Sequence, residues 1–319
     1  MIARMPSRRW VPVLQMLCSL ALMAWLIVGV HWAELWAALA HASPLLIAIG
    51  CCVYYLGILL SCLKWRITLR VEEIDLPLSR LLPWYLIGAF AGNFLPTDIG
   101  GDLGRGFITG RATGRPLAVA RSILVERLSG LVMMLVLAWF GFMLLPGYRI
   151  WAILTLMLTL SGVLACLALW RIAWGHPLLT RMWARLPARL RAALTESLAV
   201  ADLYRRQPGM LALVLLISLV FQSMAGFGLW LNLRAVGVIL PLLPVILVGM
   251  IVGVIGLLPI TVNGWGLREA TIIALLAPLG VQAAGVLAGA LLGRGLQLLL
   301  SLPGAPLLLF EQRHSLVKR

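Results

Sequence analysis

The feature that most constrains this chain is its succession of apolar runs, each near the length needed to cross a hydrocarbon layer. They fall at about 11–30, 44–63, 81–96, 117–145, 150–170, 209–232, 241–259 and 270–309, where a spanning helix needs roughly 20 residues. In lipid every backbone polar group must be paired within the protein, so such runs fold as helices and not as open strands. The whole chain agrees: 62% of its 319 residues are hydrophobic and 12% are charged, against about 45–50% and about 25% in a soluble domain. These proportions exclude a water-soluble enzyme, a disordered chain and a coiled coil. They predict an all-α polytopic membrane protein forming one integral domain over residues 1–319.

The net charge is +15, and all but two of the 26 basic residues are arginine. A nucleic-acid partner would require those charges in one soluble patch, but they lie between apolar runs. Orientation signalling and contact with anionic lipid of the cytoplasmic leaflet are expected instead, with no nucleic acid. The five cysteines (Cys18, Cys51, Cys52, Cys62, Cys166) lie inside apolar runs without metal-ligand spacing. They read as small core hydrophobes, with no disulfide framework, metal or cofactor. Arg4, Arg8 and Arg9 before an apolar run, with Ala38-Leu39-Ala40 after it, resemble a secretory leader. The run 11–30, however, is longer than the roughly 7–15 residues of a leader's apolar region, so it is expected to be the first span.

Basic residues fix the expected topology. The 31–43 loop holds no Lys or Arg, whereas Lys64 to Arg80 holds four. Seven arginines lie in 171–206, and Arg313, Lys318 and Arg319 close the tail. All the basic segments can be cytoplasmic only if 81–96 does not cross. The expected solution is a re-entrant hairpin over about 81–115, broken at Pro96, and a second over about 241–280, broken between Pro259 and Gly266. About six spans accompany them, with both termini cytoplasmic in the inner membrane. An amphipathic segment over about 171–208 is expected to lie on the cytoplasmic leaflet, its arginines opposed to Leu186, Leu190, Leu194 and Leu198.

An internal repeat supports two hairpins. Leu81-Leu82-Pro83, Gly88, Gly92, Leu95-Pro96 and Gly101-Asp102-Leu103-Gly104-Arg105 recur as Leu242-Leu243-Pro244, Gly249, Gly253, Leu258-Pro259 and Gly264-Trp265-Gly266-Leu267-Arg268. Broken hairpins entering from opposite faces characterise inverted-repeat transporters, with the site near the midplane. Interrupted backbone at membrane depth needs protein partners or a wet cavity. The breaks, at Pro96, Gly100, Gly101, Pro259, Gly264 and Gly266, therefore predict one, with helix N-termini near Leu103 and Leu267 presenting positive dipole ends to an anion.

Ionisable residues beside the breaks are the candidate binding groups: Asp102 and Arg105 in the first hairpin, Glu126 and Arg127 in the next span, Arg268 and Glu269 in the second hairpin, and Arg294 in the last span. A charge at a helix centre costs about 2.5–3.5 kcal/mol on insertion scales, so such residues pair or line an interior. Arginine suits phosphate because its planar fork donates two parallel hydrogen bonds and keeps its charge. Neighbours such as Glu126 and Arg127, or Arg268 and Glu269, diverge by about 100° on a helix and must find partners elsewhere. An ion pair of Arg294 with Glu126 or Glu269 would fix packing alone, and Arg105 and Arg121 could equally snorkel to headgroups. Gly285, Gly289 and Gly293, like Gly88 and Gly92 or Gly249 and Gly253, read as close-packing stripes. Trp32, Trp36, Trp84, Trp151, Trp170 and Trp174 read as interface anchors.

Asn93-Phe94-Leu95-Pro96 leading to Gly100-Gly101-Asp102 and Arg105, Glu126-Arg127-Leu128-Ser129-Gly130, and Leu258-Pro259-Ile260 leading to Asn263-Gly264-Trp265-Gly266-Leu267-Arg268-Glu269 resemble the lysylphosphatidylglycerol synthase transmembrane, flippase-like family. The resemblance covers essentially the whole chain and adds Asn263 to the binding residues. It implies movement of a polar lipid between leaflets. Members occur as the flippase half of aminoacyl-phosphatidylglycerol synthases and as stand-alone proteins beside lipid- or glycan-modifying enzymes. This chain resembles the membrane half without the soluble aminoacyl-transferase domain. Thr97-Asp98 stands where relatives often carry glycine, so Asp98 inherits no role.

The expected function is translocation of a polar or anionic lipid, such as an aminoacyl-phospholipid or a polyprenyl-phosphate-linked or hopanoid-type lipid, and the chain is not expected to be an enzyme. Two alternatives stay open: an embedded transferase or phosphatase with Asp102 or Glu269 as base, and a non-catalytic partner of a lipid- or glycan-modifying enzyme. No nucleophile–base pair, metal cluster or phosphate loop supports the first.

Overall fold

The computed structural model describes residues 10–29, 31–94, 100–144, 202–256 and 260–317, with isolated positions between them. Pro96, Thr97, Asp98 and Pro259 lie outside the described residues, as do most of the run 150–170, the amphipathic segment up to residue 201, Cys166, Trp151, Trp170 and Trp174. The described chain is helical: α1 (Trp10–Gly29), α2 (Trp32–Ala40), α3 (Pro44–Val71), α4 (Leu78–Phe94), α5 (Gly100–Thr113), α6 (Pro116–Leu144), α7 (Pro208–Ala235), α8 (Leu242–Gly256), α9 (Leu267–Leu276), α10 (Ala283–Ser301) and α11 (Gly304–Val317). Pro44, Pro116 and Pro208 open three of the long helices, where a missing N–H costs nothing and a fixed φ favours helix entry.

Among the described residues, four helical stretches are long and apolar enough to cross a membrane: Pro44–Val71, Pro116–Leu144, Pro208–Ala235 and Ala283–Glu311. Their exposed faces carry large apolar residues such as Leu45, Leu124, Leu216 and Leu299, as expected of lipid-facing surface. Gln15–Leu26 and Leu242–Gly256 are shorter apolar helices. Three expectations are adjusted. The 31–43 segment is mostly helix α2 and not a loop. The final run bends at the residues between Ser301 and Gly304, where Pro303 follows, because proline cannot supply the N–H that continues a helix. Trp84, read as an interface anchor, is buried with Trp65, Leu69 and Leu81, whereas Trp32 and Trp36 are exposed.

Helices α3 and α7 form an antiparallel central pair. The Ser43 N–H donates to the Ala235 carbonyl (2.8 Å), joining the start of one to the end of the other, and Lys64 donates to Ser218 (3.3 Å) farther along. With about 1.5 Å of rise per residue, the 28 residues of α3 separate its two ends by roughly 42 Å.

Two helix pairs double back beside this axis. A Cβ at Gly88 would lie 3.4 Å from the Cβ of Arg105, so α5 returns along α4. The pair closes where it began: Arg115, after α5, donates to the Glu73 carbonyl just before α4 (3.3 Å). Glu73 adjoins the C-terminal end of α3. In the second pair, α9 packs on α8 through Ile272, Leu275 and Leu276 in a cluster with Met250, Ile251 and Val252. It too returns to its entrance, since a Cβ on Gly285, after α9, would meet Val238, before α8 (2.9 Å). Val238 follows the end of α7, which is at the other end of α3. The two pairs thus open toward opposite ends of the central axis. Their inner tips meet: the Asn263 amide, between α8 and α9, donates to the Gly92 carbonyl near the end of α4 (3.5 Å).

Glycine decides two of these contacts. A Cβ on Gly101 would lie 3.0 Å from the carbonyl carbon of Gly88 and 3.3 Å from the Cα of Gly92, which only hydrogen at that position avoids. A Cβ on Gly289 would lie 3.0 Å from the Cα of Leu233, so the stripe expected on α10 is the seam against α7.

Candidate functional site

Where the tips meet there is a cavity of about 750 Å³. Asp102, Arg105, Glu126, Arg127, Asn263, Arg268, Glu269 and Arg294, the eight residues marked in the sequence, all line it. Of the break residues, Gly101 also lines it, and Gly100 opens α5. Gly264 and Gly266 have φ of +71° and +80°, and Asn263 between the breaks has φ of +50°. That left-handed backbone turns α8 into α9, and glycine adopts it without strain.

The first half of the cavity is a buried ion network. Arg105 on α5 is only 2% exposed. Its guanidinium donates to Asp102 Oδ1 (2.8 Å) and to Glu126 Oε2 on α6 (2.7 Å). It lies 4.5 Å from each of the Trp65 and Tyr85 ring centres, which hold the cationic plane between aromatic rings. Tyr85 O–H donates to Glu126 Oε1 (3.5 Å). Arg127 donates to Asp102 Oδ2, and its side chain is half exposed. Neither neighbour of the Glu126-Arg127 pair bonds the other, as the helical angle between them requires. Arg105, being buried, does not snorkel, and Arg121 donates to Glu72 at 2.7 Å.

The second half is smaller. Glu269 is 1% exposed; its Oε2 accepts the Gly266 N–H (2.8 Å) and its Oε1 accepts Arg294 Nε (3.3 Å). Arg294 Nη2 also donates to the Asn263 carbonyl (3.1 Å), and its guanidinium lies 4.9 Å from the Trp265 ring centre. Arg294 therefore pairs with Glu269 and ties α10 to the turn. Arg268 fits where Cβ atoms are missing: one on Gly256 would lie 3.1 Å from its guanidinium carbon.

One expectation about dipoles is corrected. Each short helix carries an acid in its own first turn, Asp102 in α5 and Glu269 in α9. The positive ends of these helices are met first by the protein's carboxylates, so attraction for an external anion rests on the arginines.

Several site residues escaped the sequence reading. Lys64, counted there among charges flanking a loop, is buried inside α3, which runs to Val71. It donates to the Glu126 carbonyl (3.1 Å) and to Ser218 Oγ (3.3 Å) and lines the cavity. The signal was present: Ser61, Lys64 and Thr68, spaced by three and four residues, form a buried polar stripe. Gln222 donates to the Gly130 carbonyl (3.0 Å). Asn93 accepts from Gln297 (3.4 Å) and donates to Ser301 (2.8 Å), fastening the first tip to α10. These neutral amides carry no charge anomaly, and only the fold reveals their common destination.

A bundle of apolar helices around a charged internal cavity defines an integral membrane protein with a buried polar site. Residues 13–304 match the family model described as the lysylphosphatidylglycerol synthase TM region. The chain belongs to that family. No curated protein matches it.

Proposed function

We propose that this protein translocates a polar lipid across the cytoplasmic membrane, with the headgroup passing through the cavity and the tail remaining in the bilayer. The observation that carries this reading is the meeting of two inward-pointing helix pairs, open to opposite ends, at a cavity that five basic side chains line among the described residues. A lipid-related role in the membrane also follows from the family.

On this reading the two helix pairs are re-entrant hairpins related as an inverted repeat. The matching arrangement of contacts supports it. In each half, a long helix precedes the broken pair, and an acid or arginine on the short returning helix bonds across to the next long helix: Arg105 to Glu126, and Glu269 to Arg294. Such halves can rock against each other to alternate access. The end of α3 that adjoins Glu73 would face the cytoplasm, together with both termini, as basic-residue bias requires. Because Arg105, Arg127 and Arg294 are held in place by carboxylates, a headgroup that engages one of them exchanges one ion pair for another and avoids stripping a bare charge.

The test is transfer of fluorescent lipid between leaflets of vesicles containing purified protein. Wild type is expected to transfer lipid, and Arg268→Ala to lose most of that activity while remaining folded. Undiminished transfer by folded R268A would overturn the assignment.

A further inference from the structure

We infer that the headgroup carries hydroxyls beyond its phosphate, as a sugar or another polyol does, and that Tyr54, Asn232 and Gln297 bind them. This rests on the translocation reading above and narrows its substrate class.

The first argument is the place of one amide. Asn232 lies on α7, and its side chain is held between α3 and α10: a Cβ on Gly50 would stand 3.8 Å from Asn232 Oδ1, and one on Gly293 would stand 2.5 Å from Nδ2. Gly285 and Gly289, earlier in the same stripe, face Val238 and Leu233. Gly293 instead clears room for a polar side chain that lines the cavity. That amide makes no hydrogen bond among the described residues. An amide kept from bulk water without a partner is costly, so room made for one at a cavity wall points to a partner that arrives from the cavity.

The second argument is the company it keeps. Tyr54 stands one helical turn from Gly50 on α3, and Gln297 one turn from Gly293 on α10. Both line the cavity. The two helices still adjoin at this level, since Tyr55 O–H donates to the Leu300 carbonyl (3.1 Å). The Tyr54 hydroxyl makes no hydrogen bond among the described residues. Gln297 donates to Asn93 Oδ1 (3.4 Å), and its own carbonyl oxygen accepts nothing among the described residues. Three helices thus bring neutral groups to one stretch of the cavity.

The third argument is chemistry. A phosphate needs donors and an ammonium needs acceptors, whereas amides and a phenol offer both, as a hydroxyl requires of its partners. Arg294 follows Gly293 on α10 and lines the same cavity, so a phosphate paired there would set an attached polyol beside Asn232. Water also donates and accepts, and the test separates the two occupants.

Purified full-length protein in detergent is titrated with lipids of equal charge and equal acyl chains: phosphatidylethanol, which has no headgroup hydroxyl, and phosphatidylglycerol and phosphatidylinositol, which do. The hydroxylated lipids are expected to bind about tenfold more tightly, roughly what two net hydrogen bonds supply. Equal binding of all the lipids would overturn the inference and leave this stretch to water. Free glycerol 3-phosphate or inositol phosphate competing as well as the lipids would also overturn it, since the ligand would then be soluble. Tyr54→Phe removes a hydroxyl that bonds nothing in the folded protein, and Asn232→Leu replaces the amide by an apolar group of similar shape. Each is expected to cut the preference to about threefold, the share of one lost hydrogen bond. Tyr54→Phe alone decides if Asn232→Leu fails to fold, and a preference unchanged in the folded variants would contradict the residues assigned. Selective binding without transfer in vesicles would uphold this inference and refute translocation, whereas transfer without selectivity would do the reverse.

Discussion

At the scale of single residues, the cavity is held together by charges that would be costly alone. Arg105 and Glu126 are each almost fully buried, and each is the other's closest ionic partner. Removing one partner of such a pair typically costs about 3–5 kcal/mol, because the other is left buried and charged, whereas replacing both by apolar groups costs far less. Glu126→Gln is therefore expected to lower thermal stability in detergent sharply, and Arg105→Met combined with Glu126→Leu to be milder than the summed single effects. Additive losses in a double-mutant cycle would show that the pair is not coupled. The sequence exposed these residues because charge inside an apolar run is conspicuous. Lys64 was misread for the complementary reason: it sits where the apolar run ends at residue 63, although its helix continues for two more turns. Run length reports hydrophobicity, and helix length reports hydrogen bonding; the two part company at a polar stripe.

At the scale of elements, glycine sets how closely helices approach. Gly101 faces the Gly88 backbone, while Gly104, one turn on, has no atom within 4 Å of where a Cβ would stand. Gly101→Val is expected to force α5 off α4 and abolish the monodisperse folded species in size-exclusion chromatography. Gly104→Ala should be neutral or raise stability by about 0.5–1 kcal/mol, the usual advantage of alanine over glycine inside a helix. Equal effects at the two positions would contradict the packing described. The paired Gly/Pro interruptions made both broken helix pairs legible in the sequence, with returns expected at 103–115 and 267–280 and found at Gly100–Thr113 and Leu267–Leu276. The helix α2 was not legible, because a short stretch lacking Lys and Arg reads equally as an outer loop. The burial of Trp84 was not legible either, since an aromatic near a run end faces lipid headgroups or core according to tertiary packing alone.

At the scale of the whole molecule, the sides from which the helix pairs enter decide between a translocase with alternating access and a simple bundle. With the five native cysteines replaced by serine, Asp75→Cys and Ala112→Cys, flanking the first pair, should react with a membrane-impermeant thiol reagent from the same face. Ile239→Cys and Gln282→Cys, flanking the second, should react from the opposite face. Labelling of Asp75→Cys and Ala112→Cys from different faces would mean that the first pair spans. The basic segments lead the sequence reading to expect this arrangement, because loop arginines are costly to translocate. Headgroup choice was not announced, since it depends on how the cavity charges pair in three dimensions. The most direct test of the central claim is an experimental structure of the protein in a native-lipid bilayer, with the co-purified lipid identified by mass spectrometry. The account predicts phosphate density in the cavity between the Gly92 and Asn263 tips, within hydrogen-bonding distance of Arg268 or Arg294. A cavity holding only water, with every ordered lipid on the outer faces of the bundle, would contradict it.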